Sequence, residues 1–402
     1  MKNTKVYICD AIRTPIGKMG GVFKSLSPLD LAVPLIQHIV SKNTGIAKHL
    51  DELIVGQGYD TAEAANIGKA LALDAGLPDS VCGYSVDRRC ASGLQAIIDA
   101  MMMIQTGKAN LVIAGGAESL SQAPFYSTTL RWGGFGDINL KDSLKYGRIY
   151  ANGQKNPIQG GMLETAENLR KEFNISRTAQ DELAYQSHMK ACKAINAGKF
   201  KNEILPLSVK GKLIDTDEHP RADTTVDQLS KLKPILFKDD PSATVTAGNS
   251  SGQNDAAAFC LIASEQMVSH LNLKPLAEMV DWAVAGVPST TMGIGPVPAI
   301  QKVLSSSGLT LNDMDRIEIN EAFAAQLLAC THALNFSEAD YNKLNVNGSG
   351  ISLGHPIGAT GARIMTTLIN ELQSSSGTYG LISMCIGGGQ GMAAIIKSIN
   401  NH

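Results

Sequence analysis

Apolar residues in this chain fall into two alternating textures. Short runs such as Asn110-Leu111-Val112-Ile113-Ala114-Gly115-Gly116 and Tyr379-Gly380-Leu381-Ile382-Ser383-Met384-Cys385 are almost continuously apolar, as expected of strands buried on both faces. Between such runs the spacing changes. Leu94, Ile97, Ile98, Met101 and Met102 follow the i, i+3, i+4, i+7, i+8 stripe of an amphipathic helix. Helical patterns also run from Glu164 to Phe173 and from Arg177 to Ala197. Strand-like and helical segments in alternation predict βαβ units on buried sheets.

The pattern occurs twice. Val33-Pro34-Leu35-Ile36-Gln37-His38-Ile39-Val40 aligns with Val297-Pro298-Ala299-Ile300-Gln301-Lys302-Val303-Leu304, with half the positions identical. At the same spacing Asp51-Glu52-Leu53-Ile54-Val55 falls on Asp315-Arg316-Ile317-Glu318-Ile319. Tyr84-Ser85-Val86 then corresponds to Leu344-Asn345-Val346, and the run ending at Gly116 to the one ending at Cys385. A shared order of elements points to duplication. The expected division is a first half over 1–120, an insertion over 121–245, the end of the first half over 246–272, and a second half over 273–402. The insertion includes loop-like Trp132-Gly133-Gly134-Phe135-Gly136 and the aperiodic stretch from Lys199 to Asp240, a texture suited to binding or assembly.

Composition narrows the class. The 402 residues are 44% hydrophobic and 18% charged, with a formal net charge of −2, so an ordered α/β protein is expected and a general nucleic-acid binder is not. No apolar run is long enough for a membrane span, and MKNTKVYICD is a poor secretory signal. The C-terminal Ile399-Asn400-Asn401-His402 matches no retention or peroxisomal tail. Seven scattered cysteines without a C-x-x-C pair suit a reducing cytoplasm and a free catalytic thiol better than a zinc or disulfide framework.

Four clusters could carry chemistry. Cys90, in Asp87-Arg88-Arg89-Cys90-Ala91-Ser92-Gly93-Leu94, sits at a strand-to-helix junction, where the helix N-terminus is expected to lower its pKa; a buried structural cysteine is the plain alternative. His355 lies in a glycine-dense turn, Gly354-His355-Pro356-Ile357-Gly358-Ala359-Thr360-Gly361. Cys385 precedes Ile386-Gly387-Gly388-Gly389, readable as a hairpin, a phosphate loop or an acid/base beside free backbone N–H groups. Asn320 and Glu321 follow a predicted strand, where ligands of such sheets bind and where helix caps also occur. Gly248-Asn249-Ser250-Ser251-Gly252, after strand-like Thr244-Val245-Thr246, matches the G-x-S-x-G elbow of α/β-hydrolases, but that reading leaves both cysteine clusters unused.

Together C-x-S-G-L-Q-A at Cys90, N-E-A-F at Asn320, G-H-P-I-G-A-T-G at His355 and C-I-G-G-G at Cys385 resemble the thiolase family over essentially the whole chain. Ala247-Gly248-Asn249-Ser250-Ser251-Gly252 resembles that family's coenzyme-A loop and displaces the hydrolase reading. The resemblance implies a duplicated βαβαβαββ core with an inserted loop domain, and a homotetramer or homodimer. It implies acyl transfer between acetyl-CoA, 3-ketoacyl-CoA and coenzyme A, the last a substrate, with no metal or other cofactor. Cys90 would be the nucleophile, His355 its base, Cys385 the second acid/base, Asn320 the holder of a water for one oxyanion, and Gly387 with Cys90 the N–H donors for another. Arg221, Ala247, Ser251, Met162 and Met292 match substrate- and coenzyme-A-binding positions. A decarboxylating ketoacyl synthase and a silent acyl-CoA-binding relative are the rivals. The chain departs from the pattern at Asp87, commonly Asn; at Arg89, usually smaller or apolar; and at Gly161, where many acetoacetyl-CoA thiolases have His.

Overall fold

The computed structural model describes residues 4–133 and 136–399. The predicted loop at Gly134 and Phe135, the first three residues and the tail from Asn400 lie outside the described residues. Nine strands form the body of the fold: β1 Val6–Arg13, β2 Glu52–Gly56, β3 Cys82–Val86, β4 Leu111–Ser119, β5 Asn254–Ser264, β6 Ala277–Gly286, β7 Arg316–Ile319, β8 Tyr379–Ile386 and β9 Gln390–Ser398. They join in the order β7-β8-β9-β6-β1-β5-β4-β2-β3, and the short strand Gly17–Lys18 pairs with the start of β5.

The two halves meet where β1 pairs with β6, through Tyr7 opposite Glu278 and Ile8 opposite Ala277. Reading outward from that seam, β5-β4-β2-β3 in one direction matches β9-β8-β7 in the other. The missing counterpart of β3 survives as a single parallel bridge between Ile317 and Leu344. The duplication read from the sequence is therefore a duplication of sheet order, and the fold is the expected α/β core of two similar halves.

Each half carries an outer helix at the repeated segment, α1 (Pro28–Lys42) and α5 (Pro296–Ser307). Ser27 starts α1 through a capping box with Asp30, with Pro28 in the first turn, where its missing N–H costs nothing. Between the sheet halves lie α2 (Ser92–Gln105) and α6 (Thr360–Ser375), packed against each other in the largest apolar cluster. The amphipathic expectation for α2 needs correcting. Gly93, Gln95, Ala96 and Ala100 are buried along with Leu94, Ile97, Ile98 and Met101 of the predicted stripe, while its Met102 is only partly buried, because the helix is covered on nearly every side. Each fully buried Leu or Ile contributes roughly 1.5–3 kcal/mol relative to exposure, so the N-termini of this helix pair are firmly held.

The segment between β4 and β5 contains α3 (Gly161–Glu172) and α4 (Arg177–Asn196), matching the predicted helices to within a few residues. It also holds the hairpin Leu207–Val209/Lys212–Ile214. Thr244–Thr246, read as strand-like, forms no strand: Thr244 and Val245 donate their N–H groups to the buried Glu167 carboxylate. Among the described residues no helix is long and apolar enough to cross a membrane.

Candidate active site at the seam of the two halves

After β3 the chain turns sharply before entering α2. Asp87 Oδ1 accepts the Arg89 N–H at 2.7 Å, and Ser92 Oγ accepts the Arg88 N–H at 2.9 Å while donating to the Arg89 carbonyl at 2.7 Å. Arg89 adopts φ +47°, a region that side chains with a Cβ rarely occupy. An Asn at position 87 would accept the same N–H, so Asp87 preserves the turn. The opposing motif presses directly on this one. A Cβ on Gly361 would stand 2.3 Å from the Leu94 nitrogen, which explains why that turn admits nothing larger.

Cys90 is partly accessible and sits in the short 3-10 turn Arg89–Ala91, just before α2. Burial pushes its thiol up to about 11, against the opposite pull of the Gly387 N–H, the Arg89 charge and its own N–H. This corrects the expected lowering: enclosure outweighs the helix end, and the resting group is a thiol. Gly387 N–H and Cys90 N–H nevertheless act on the same sulfur, from opposite halves of the molecule.

Cys385 is the last residue but one of β8, fully buried, and Ile386 separates it from the Gly387–Gly389 turn that leads into β9. The hairpin reading of this segment is therefore correct, and the phosphate-loop reading is not: a strand follows the glycines. Burial, then the neighbouring Cys90 and Cys330, hold the Cys385 thiol well above its ordinary value. It is a protonated group placed beside the first sulfur.

His355 is buried, and its backbone N–H donates to Asn254 Oδ1 at 2.9 Å. Its Nδ1 lies 2.6 Å from Thr360 Oγ1, whose hydroxyl donates to the Pro356 carbonyl at 2.8 Å. The threonine has one proton and has given it away, so Nδ1–H must be the donor to Oγ1. Nε2 is then an unprotonated acceptor, and it has no protein partner among the described residues. Burial, and then the Arg363 charge, lower this histidine to about 3. With His188 and His219, lowered to about 4 mainly by burial, three of the eight imidazoles are expected to stay neutral from pH 8 to pH 5. Carbon-13 NMR of labelled histidine checks this, with His355→Asn assigning its signal; a His355 signal titrating near 6.5 would contradict it.

Asn320 follows β7, and its N–H donates to the Ser383 carbonyl at 3.0 Å. Its side-chain amide is fully buried, and neither Oδ1 nor Nδ2 has a protein partner among the described residues. Buried amides are nearly always satisfied, so this one is poised for a group supplied from outside the chain. Glu321 beside it is saturated: it accepts from Ser187 Oγ at 2.6 Å, Asn345 Nδ2 at 3.0 Å and the Ile351 N–H at 3.3 Å. It fastens α4 to the second half and positions Asn320.

Sequence reasoning missed three residues here. Glu118, near the end of β4, accepts the N–H groups of Gly58 and Gly358 at 2.8 Å and of Tyr59 at 3.2 Å, tying the His355 turn to the Cys90 half. Burial raises its carboxyl to about 7 in spite of those bonds. Thr360 sets the imidazole tautomer, and Arg363 disfavours its protonated form.

The positions expected to bind substrate divide into two groups. Met162 and Met292 share one apolar cluster with Cys385 and Phe323. The Ala247–Ser251 loop is held against the N-E-A-F segment by the Ser251 N–H, which donates to the Ala322 carbonyl at 2.9 Å, and by a bridge between Ser250 and Phe323. Ala247 is exposed and Ser251 partly so. Ser250 Oγ donates to the Thr246 carbonyl at 2.7 Å, a bonding pattern unlike that of a hydrolase nucleophile. Arg221 is exposed, its N–H donating to His188 Nδ1 at 3.2 Å, and it does not join the groups around Cys90. Gly161 has φ +59°, so the histidine common elsewhere would be strained here.

The duplicated α/β fold, with Cys90, His355 and Cys385 brought to the seam of its halves, defines the class to compare with known proteins. Residues 6–266 match the thiolase N-terminal domain and residues 273–398 the thiolase C-terminal domain. The chain belongs to the thiolase family. It is 42% identical to a beta-ketothiolase of Cupriavidus necator, over 98% of this chain and 99% of that one. Solved structures of similar proteins include Bacillus anthracis acetyl-CoA acetyltransferase, at 43% identity and TM-score 0.93, covering 98% of this chain and 99% of that one. Another is human mitochondrial 3-ketoacyl-CoA thiolase in complex with CoA, at 39% identity and TM-score 0.92, covering 98% of each chain.

Proposed function

We propose that the protein is an acyl-CoA acyltransferase. It would cleave 3-ketoacyl-CoA with coenzyme A and, in reverse, condense acetyl-CoA with an acyl thioester. The observation that carries this reading is the meeting of Cys90 and Cys385 from opposite halves, with the Gly387 N–H aimed at the Cys90 sulfur. A decarboxylating synthase has no need of the second thiol, and a silent binding relative has no need of either.

In cleavage, His355 Nε2 takes the Cys90 proton as the sulfur attacks the ketone carbon, C3. The imidazolium and thiolate appear together, which offsets the unfavourable pKa of each alone. The oxyanion at C3 receives hydrogen bonds from the N–H groups of Cys90 and Gly387. Collapse breaks the C2–C3 bond, leaving an acyl-Cys90 thioester and the enolate of acetyl-CoA. Protonated His355 and a water held by the Asn320 amide stabilise the enolate oxygen, and Cys385 protonates C2. The proton that His355 took from Cys90 returns to the Cys385 thiolate; neutral His355 then takes the thiol proton of coenzyme A as its sulfur attacks the acyl carbon, and gives that proton to the departing Cys90 sulfur. Proton transfers and thioester exchange account for every step, so coenzyme A serves as substrate and no metal or redox group is called for.

The Ala247–Ser251 loop and Met162 would contact the coenzyme-A arm, Met292 the acyl end, and exposed Arg221 the nucleotide end. Assembly as a homodimer or homotetramer is supported by the apolar side chains of Phe125, Trp132, Ile138 and Leu140, which are 60% exposed or more. Seven free cysteines support a reducing, cytoplasmic setting. The test is coenzyme-A-dependent loss of acetoacetyl-CoA. Wild type is expected to turn it over, and Cys90→Ala to lose at least ~10⁴-fold in kcat, as removal of a nucleophile typically does. Substrate loss that Cys90→Ala leaves intact would refute the assignment.

A further inference from the structure

The buried helix α6 carries a polar stripe. Thr360, Arg363, Thr367 and Glu371 follow one another at helical spacing, and all four are buried. Three of them have partners. Thr360 bonds to His355 and the Pro356 carbonyl, Thr367 donates to Glu203 Oε1 at 3.0 Å, and Glu371 accepts from Arg316, Asn347 and Lys199. Arg363 is the exception: its Nε, Nη1 and Nη2 have no protein partner among the described residues. A buried guanidinium left unpaired is costly, so donors at this depth call for acceptors from outside the chain.

The acid that acts most strongly on Arg363 is Glu318; the others, Glu203 and Asp217, are bound directly by Arg13 at 2.6 and 2.7 Å. On β7, Ile317 and Ile319 pack with Ala299, Ile300 and Val303 of the outer helix α5. The two-residue period of a strand therefore turns Glu318, and Asn320 after it, toward α6. Glu318 and Arg363 nevertheless make no hydrogen bond with each other, and Glu318 Oε2 is buried without a partner among the described residues. The same holds for the hydroxyl of Ser349, which precedes Gly350, where a Cβ would stand 2.7 Å from Asn320 Oδ1. Orphaned polar atoms thus run from Arg363 and Glu318 to the Asn320 amide and His355 Nε2, at the reacting end of the site. Burial raises the Glu318 carboxyl to about 8 against the pull of Arg363, so near neutrality it is mostly protonated and leaves the arginine's charge uncancelled.

We propose that Arg363 is a positioning residue for the enolate step: with Glu318 it holds a short file of internal water that fixes the Asn320 amide and the water this amide presents to the enolate oxygen. The inference rests on the acyl-transfer reading above. A water that accepts from a guanidinium keeps both hydrogens free to donate onward. The file therefore runs from donor to acceptor toward the place where negative charge develops. No bond breaks and no proton is transferred within it; it orients donors before the reaction begins.

The experiment sets two rates side by side: acetyl-CoA condensation, which passes through the enolate, and exchange of labelled coenzyme A into acetyl-CoA, which does not. Arg363→Met is expected to lower the kcat of condensation roughly 10–100-fold with KM little changed, a smaller loss than removal of the direct donor. Exchange should stay within about 3-fold of wild type, since it draws nothing from the enolate site. Loss of the charge makes His355 more basic, so a weakened base cannot produce that split. Arg363→Lys, with a charge and donors of its own, should recover part of the condensation rate. If Arg363→Met does not fold, combining it with Glu318→Leu removes both buried polar groups at once, which folds tolerate better than removal of one, and should show the same split. Equal loss of both reactions, or condensation left at the wild-type rate, would overturn the inference while leaving acyl transfer intact. A wild type that neither condenses nor exchanges would overturn it together with the acyl-transfer reading.

Discussion

Cys385→Ala is expected to lose both acetoacetyl-CoA cleavage and acetyl-CoA condensation by at least ~10³-fold, toward the upper range for a positioned acid/base. Its reaction with acetyl-CoA should stop halfway, at acetyl-Cys90. The reason is the separation of tasks between the two sulfurs. Acyl transfer to Cys90 needs the His355 base and the Cys90 and Gly387 N–H groups, none of which the substitution removes. Carbon–carbon bond chemistry also needs a proton moved at C2, and Cys385 is the protonated group beside Cys90, buried in an apolar cluster with Met292 and Phe323. Exchange of labelled coenzyme A into acetyl-CoA should therefore persist in Cys385→Ala, while acetoacetyl-CoA neither forms nor disappears. Equal loss of exchange and condensation would show that both steps use the same sulfur.

Asn320→Ala is expected to separate activity from stability. If the Asn320 amide holds the water that hydrogen-bonds the enolate oxygen, removing it should lower kcat by roughly 10²–10³-fold, as loss of an oxyanion donor does. Ordinarily, deleting a buried polar side chain strands its partners and destabilises the fold. Here the amide has no side-chain partner to strand, and its N–H bond to the Ser383 carbonyl is a backbone bond that alanine keeps. The melting temperature should change little, since alanine leaves no protein donor or acceptor without its partner. A marked fall in melting temperature alongside the lost activity would mean that the amide is structural.

What the sequence revealed and what it hid have physical causes. The duplication was visible because the segment at Val33 and its counterpart at Val297 pack on equivalent sheet faces and so keep the same apolar pattern. The weak match between Tyr84-Ser85-Val86 and Leu344-Asn345-Val346 was meaningful, although the second copy keeps only one bridge, at Leu344. Periodicity misjudged α2 because small residues such as Ala96 and Ala100 register weakly as core, yet lie against the facing helix and sheets. The motif residues Cys90, His355, Asn320 and Cys385 stood out because glycines surround them or strands end beside them. Glu118 did not. Its carboxylate sits in an apolar run, and its bond to Gly358 spans 240 residues, a relationship that local patterns cannot encode. The expected drop in the Cys90 pKa failed for a related reason: enclosure by the second half is a tertiary property.

The measurement that tests the central claim most directly is the location of the acetyl group after incubation of Cys385→Ala with acetyl-CoA, read by intact mass and then by peptide mapping. A division of labour between two cysteines predicts one acetyl group per chain, on Cys90 and released by added coenzyme A, with no acetoacetyl-CoA formed. A chain that stays unmodified while wild type is acetylated, or a wild-type acetyl group found on Cys385, would contradict it.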